Sequence, residues 1–186
     1  EYLPVTPDVG LPFRYLINRG ITDEEIYKYR LGYCSEGTFE KRIIIPIYRD
    51  QKISYFIGRT YMHKVPKYLN APIPKADNFF ATFEGQVKEA VVCEGVFDAI
   101  QIGKVMPAIA LLGKKLGSRG TIHRILEKVT HKVYVMLDAD AIKDSITLWE
   151  IISLYIPAQI VLVTKKDPGS MTGQEILTIL MKGERL

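Results

Sequence analysis

The second half of the chain alternates short apolar runs with stretches of helix length, and this alternation limits the possible folds more than any other feature. Apolar runs at 90–93, 108–112, 132–137 and 159–163 predict strands. The stretches 96–104, 118–128, 142–155 and 172–181 predict helices between and after them. Strands separated by whole helices build βαβ units in a parallel sheet. Right-handed crossovers then place helices on both faces. The first half, to about residue 88, mixes short helices with strands. Thr22 and Glu25 form a capping-box pattern that predicts a helix over 22–30. Residues 42–48 and 53–61 read as strands joined by a polar turn, and the proline-rich stretch 66–74 reads as an ordered loop. The expected architecture is α/β, with a mixed α+β basic unit over 1–88 and a Rossmann-like parallel-sheet unit over 89–186.

With 186 residues, 47% of them hydrophobic, the chain can bury a real core. Its net charge of +4 is less telling than where the charge sits. Residues 41–75 hold eight basic side chains (Lys41, Arg42, Arg49, Lys52, Arg59, Lys64, Lys67 and Lys75) against one acid, Asp50. Such a patch attracts a polyanion and releases counterions on binding, although charge alone describes a solvated basic face equally well. Cys34 and Cys93 have no C-x-x-C spacing, so no zinc site is expected. There is no apolar run of membrane-spanning length and no signal peptide, so no membrane partner and a cytoplasmic setting are expected. The first residue is Glu1 rather than methionine, which suggests a piece of a longer protein.

The acids carry the most chemical information. Glu94 follows the run 90–93. Asp138 follows 132–137, with Asp140 two residues on, and Asp167 follows 159–163 after a short segment. Asp98 falls in the first turn of the helix expected after Glu94. Strand ends at the C-terminal edge of a parallel sheet are where ligands bind. One acid after a strand is an ordinary loop or cap residue. Five at one edge point to hard oxygen ligation of Mg²⁺ or Mn²⁺, with two ions in the arrangement used for phosphoryl transfer.

These residues resemble the Toprim motifs. Glu94-Gly95-Val96-Phe97-Asp98 is similar to E-G-x-x-D, Asp138-Ala139-Asp140 to D-x-D, and Asp167-Pro168-Gly169 to D-P-D, with Gly169 in place of the last acid. The first half resembles the DnaG-type primase core of bacteria and phages. Tyr15-Leu16-Ile17-Asn18-Arg19-Gly20 is similar to its entry segment and Arg42-Ile43-Ile44-Ile45-Pro46-Ile47 to its R-x-x-F-P-I strand. Ile57-Gly58-Arg59 is similar to its G-G-R strand, and Pro66-Lys67-Tyr68-Leu69-Asn70 matches its P-K-Y-L-N segment without a change. The resemblance implies template-directed synthesis of RNA primers by metal-dependent nucleotidyl transfer. It implies that Asp138 and Asp140 hold metal and that Glu94 ligates metal or moves protons, with Asp98 and Asp167 completing the site. It further implies that Arg42, Arg59, Lys67, Tyr68 and Asn70 bind nucleic acid, and that Lys114 or Lys115, and Lys166, meet nucleotide phosphates. The implied partners are single-stranded DNA template, ribonucleoside triphosphates and a replicative helicase or helicase domain. Two alternatives stay open: a Toprim-type metal-dependent nuclease, and a non-catalytic nucleic-acid-binding module.

Overall fold

The computed structural model describes residues 10–63, 65–75, 77–113, 119–163 and 168–182. The chain divides into two compact units, 1–78 and 79–186. The division lies ten residues before the expected boundary because the short strand Phe80–Ala81 pairs with Ala108–Ala110 and so belongs to the second sheet.

The first unit opens with α1 (Gly10–Asn18) and α2 (Asp23–Lys28). Thr22 caps α2 as its sequence requires: the Glu25 amide donates to Thr22 Oγ1, and the Thr22 amide donates to Glu25 Oε2. An antiparallel sheet follows in the order β1 (Gly32–Cys34), β2 (Arg42–Arg49), β3 (Lys52–Thr60) and β4 (Tyr68–Asn70). Arg49 pairs with Lys52 across a two-residue turn, and Asp50 and Gln51 take φ of 50° and 63°. Such a turn has the twist a hairpin needs. Ile43, Ile45 and Ile47 alternate onto one face of β2 and are buried, as are Tyr55 and Ile57 on β3 and Leu16, Ile21, Ile26 and Leu31 from the helical segment. Each such aliphatic side chain contributes about 1.5–3 kcal/mol of burial. The stretch 66–74, expected as a loop, contains β4 instead. Its backbone pairs with β3 in the register Arg59↔Tyr68, Gly58↔Leu69 and Ile57↔Asn70.

The second unit is a five-stranded sheet in the order β5 (Phe80–Ala81), β7 (Ala108–Ala110), β6 (Val87–Cys93), β8 (Val129–Val135) and β9 (Ala158–Ile160). The last four strands are mutually parallel, as the alternation predicts, while β5 runs antiparallel at the edge. Helices α3 (Val96–Ile102), α4 (Arg119–Lys128) and α5 (Ile142–Ser153) connect the parallel strands, and α6 (Gly173–Lys182) closes the described chain. One core joins Ala90, Val92, Ile109, Val133 and Val135 of the sheet to Ile122, Ile125, Leu148 and Ile152 of α4 and α5. The registers Cys93↔Ala110, Val92↔Val135 and Val135↔Ile160 bring the C-terminal ends of the four parallel strands level. This levelling positions the acids.

Candidate functional site

In the second unit, β6 and β8 are neighbours. Past their paired residues Val92 and Val135, the chain reaches Glu94 two residues on and Asp138 three residues on. Topology therefore brings these two acids to one sheet edge. Glu94 is buried and Asp138 half-buried. Asp138 precedes the 3-10 turn Ala139–Ala141, accepts the Ala141 amide on its backbone carbonyl at 2.9 Å, and leaves Asp140 exposed at the start of that turn.

Asp98 is held by two backbone amides. Its Oδ2 accepts the Gly95 amide at 3.0 Å, and its Oδ1 accepts the buried Gly169 amide at 2.9 Å, reaching across 71 residues. A carboxylate bonded in this way satisfies an orphan donor at the start of α3 and ties the turn Pro168–Ser170 to that helix. Gly95 is required by the same contact, because a Cβ there would collide with Asp98 Oδ2. The E-G-x-x-D pattern thus divides into an acid at the edge and a brace behind it. Among the described residues, no group of three or more His, Cys, Asp and Glu side chains is gathered closely enough to hold a metal ion. Asp167, Lys114, Lys115 and Lys166 lie outside the described residues.

The first unit carries a different constellation. The Arg59 guanidinium lies 4.7 Å from the centre of the Tyr68 ring, its partner across the β3–β4 ladder. Arg59 Nε donates to the Tyr15 hydroxyl at 2.9 Å, and its guanidinium is 6.0 Å from the centre of the Tyr15 ring. Arg19 stacks on Tyr15 in turn at 5.1 Å. Two guanidinium groups and two phenol rings therefore alternate within cation–π range. Tyr68 remains 36% exposed, so part of its ring faces solvent. Lys67 and Asn70 are exposed beside it, Asn70 on the same sheet face as Tyr68 by strand alternation. Tyr15 and Arg19 belong to the entry segment read from the sequence, but neither is assigned there to nucleic-acid binding. The signal that could have found them is their i, i+4 spacing at the end of α1, which places both on one side of the helix.

Arg42 is not on this surface. It is 2% exposed, and its guanidinium donates to the backbone carbonyls of Gly58 (3.2 Å), Lys67 (3.3 Å) and Pro66 (3.0 Å). The expectation that it contacts nucleic acid is corrected, since burial keeps a phosphate from reaching it. The motif arginine of β2 is a brace, like the motif aspartate of α3.

No protein-family model matches the chain. Among curated proteins it is similar to the DNA primase of Aquifex aeolicus, with 31% identity over 142 residues that cover 64% of this chain and 28% of that protein. It is also similar to the DNA primase of Thermotoga maritima, with 30% identity over 171 residues that cover 68% of this chain and 30% of that protein. The chain thus spans well under half the length of these relatives. Among solved structures it is similar to a DnaG primase catalytic domain bound to ssDNA, with a TM-score of 0.82 and 16% identity, covering 96% of this chain and 73% of that one. It is similar as well to the E. coli primase catalytic core, with a TM-score of 0.74 and 17% identity, covering 96% of this chain and 71% of that one. At these identities the solved structures speak for the fold.

Proposed function

Because the chain is built on the DnaG-type primase core, we propose that it is the polymerising part of a DNA primase, making short RNA primers from ribonucleoside triphosphates on a single-stranded DNA template. The observation that carries this reading is the Arg59–Tyr68 stack on the P-K-Y-L-N strand. Acids at a sheet edge serve many kinds of phosphoryl chemistry. A half-exposed ring backed by guanidinium groups, with Lys67 and Asn70 beside it, suits one nucleic acid strand. The ring offers a base its face, and the cations offer phosphates their charge. The DnaG neighbour bound to ssDNA supports the same assignment. Arg59, Lys67, Tyr68 and Asn70 are proposed to hold template, now joined by Tyr15 and Arg19.

Glu94 and Asp138 at adjacent strand ends, with Asp140 next to them, fit a hard divalent cation, which takes one or two carboxylates and keeps waters. Asp167 belongs to the proposed set by its motif. Bound Mg²⁺ or Mn²⁺ supplies positive charge at the phosphoryl oxygens and the pyrophosphate leaving group. Glu94, being buried, is placed to hold a proton or a ligand away from bulk water, while the exposed Asp140 meets the incoming side. Lys114 and Lys166 are proposed to meet the triphosphate, and a replicative helicase or helicase domain is proposed as the partner. No helix among the described residues is long and apolar enough to cross a membrane.

The test is incubation of the purified chain with single-stranded DNA, ribonucleotides and Mg²⁺ or Mn²⁺. Short ribonuclease-sensitive products that require template support the reading. Metal-dependent nicking of DNA without nucleotides would instead identify a Toprim-type nuclease. A second reading, a non-catalytic template-binding module, is favoured by Gly169 standing where the third motif carries its last acid. Template binding with neither products nor Mn²⁺ uptake in calorimetry would establish that module.

A further inference from the structure

A buried arginine stays charged at every accessible pH, and taking its charge out of water is costly unless its donors are met. Arg42 meets that cost in an unusual way. Among the described residues its guanidinium donates to backbone carbonyls alone: Gly58 on β3, then Pro66 and Lys67 just before β4. No carboxylate is among them, and Nε is buried without a partner among the described residues. The stem packs closely against Gly58, beside the Phe39 ring. A Cβ there would lie 2.7 Å from Phe39 Cδ1 and 3.1 Å from Arg42 Cδ. The arginine of one motif, the glycine of the second and the first two residues of the third therefore form a single device. Its output is the path of Pro66 and Lys67. The Lys67 carbonyl also accepts the Thr60 amide at 3.1 Å, and Tyr68, the next residue, begins the three-residue strand β4.

We propose that Arg42 is the positioning residue of the template surface, fixing the Pro66–Lys67 backbone so that Lys67 and Tyr68 are presented to the strand in a set place. This rests on the reading that the Arg59–Tyr68 surface binds single-stranded DNA. A planar fork serves carbonyls in three directions, whereas a lysine ammonium has the charge without the geometry. Arg42→Lys therefore separates positioning from charge.

The experiment is a double-mutant cycle by fluorescence anisotropy, using a labelled single-stranded oligodeoxynucleotide and the full chain. The proteins are wild type, Arg42→Lys, Tyr68→Ala and the double variant, each shown folded by circular dichroism. Tyr68→Ala alone is expected to weaken binding roughly tenfold, the scale of one lost base stack. Arg42→Lys is expected to weaken it by a similar factor with its charge retained. Tyr68→Ala is then expected to add less than about twofold in the Arg42→Lys background, because sites acting through one another are not additive. A folded Arg42→Lys with wild-type affinity overturns the proposal, as do additive effects. If Arg42→Lys does not fold, Gly58→Ala, which crowds the Phe39 ring and the arginine stem, enters the same cycle with the same expectations. If Tyr68→Ala changes nothing in the wild-type background, the template surface itself is misassigned and the proposal falls with it. An intact Tyr68 effect with additive coupling sinks only the role of Arg42.

Discussion

In the first unit the guanidinium groups are already stacked: Arg19 on Tyr15, and Arg59 between Tyr15 and Tyr68. In the second unit the acids are brought to one edge by strand order, through the Val92↔Val135 register. Unlike groups can preassemble, because a guanidinium over a ring is attractive. Like-charged carboxylates repel, and only a cation among them reverses the sign. Each unit also places one motif charge behind its surface: Arg42 takes carbonyls, and Asp98 takes amides. A motif letter thus marks either a group that meets ligand or a group that holds the backbone of one that does.

The largest expected effect separates the two regions. Glu94→Gln should lower primer synthesis on the order of a hundredfold or more while leaving single-stranded DNA affinity unchanged, a loss on the scale of removing a transition-state charge stabiliser. Loss of DNA affinity in that variant would join what the comparison keeps apart. Next in size, Tyr68→Ala should cost about 1–3 kcal/mol of template binding. Lys67→Ala should in addition flatten the dependence of log affinity on log salt by about 0.7, the share of one single-strand phosphate contact. Wild-type salt dependence in Lys67→Ala would remove Lys67 from the template surface.

Asp98→Asn sharpens the distinction between edge and brace. An amide group placed between two backbone N–H donors can accept from only one without a clash, so chemical denaturation should show a loss of about 2 kcal/mol, the scale of one charge-assisted bond. Mn²⁺ affinity of the folded variant should stay near wild type. Intact stability with Mn²⁺ binding abolished would return Asp98 to the ligands. The smallest effect belongs to Thr22→Ala, which removes the α2 cap and should cost about 1 kcal/mol in the same experiment without altering DNA affinity.

The alternation of apolar runs and helices was enough to read the parallel sheet, because buried parallel strands are written almost wholly in β-branched and small apolar residues. The capping box of Thr22 and Glu25 was equally legible, since both halves of its bonding are local. What escaped was long-range. Nothing local in 66–74 announces that its backbone pairs with β3, and Phe80–Ala81 is too short to show a period. The placement of Glu94 and Asp138 at one sheet edge was legible, because strand ends dictate position. The candidate site was misread at Arg42, because sequence gives charge but not burial, and incomplete at Tyr15, whose partner Arg59 lies 44 residues away, and at Arg19, which stacks on Tyr15.

The most direct measurement takes binding and synthesis from the same samples, for wild type and for Asp138→Ala combined with Asp140→Ala. Anisotropy gives template occupancy, and incorporation of labelled ribonucleotide gives primer yield. The expected result is template-dependent primer synthesis by wild type, and none above background by the double variant at equal template occupancy. Synthesis that survives the loss of both aspartates, or template binding that disappears with them, would contradict the assignment of template to the aromatic surface and chemistry to the acidic edge.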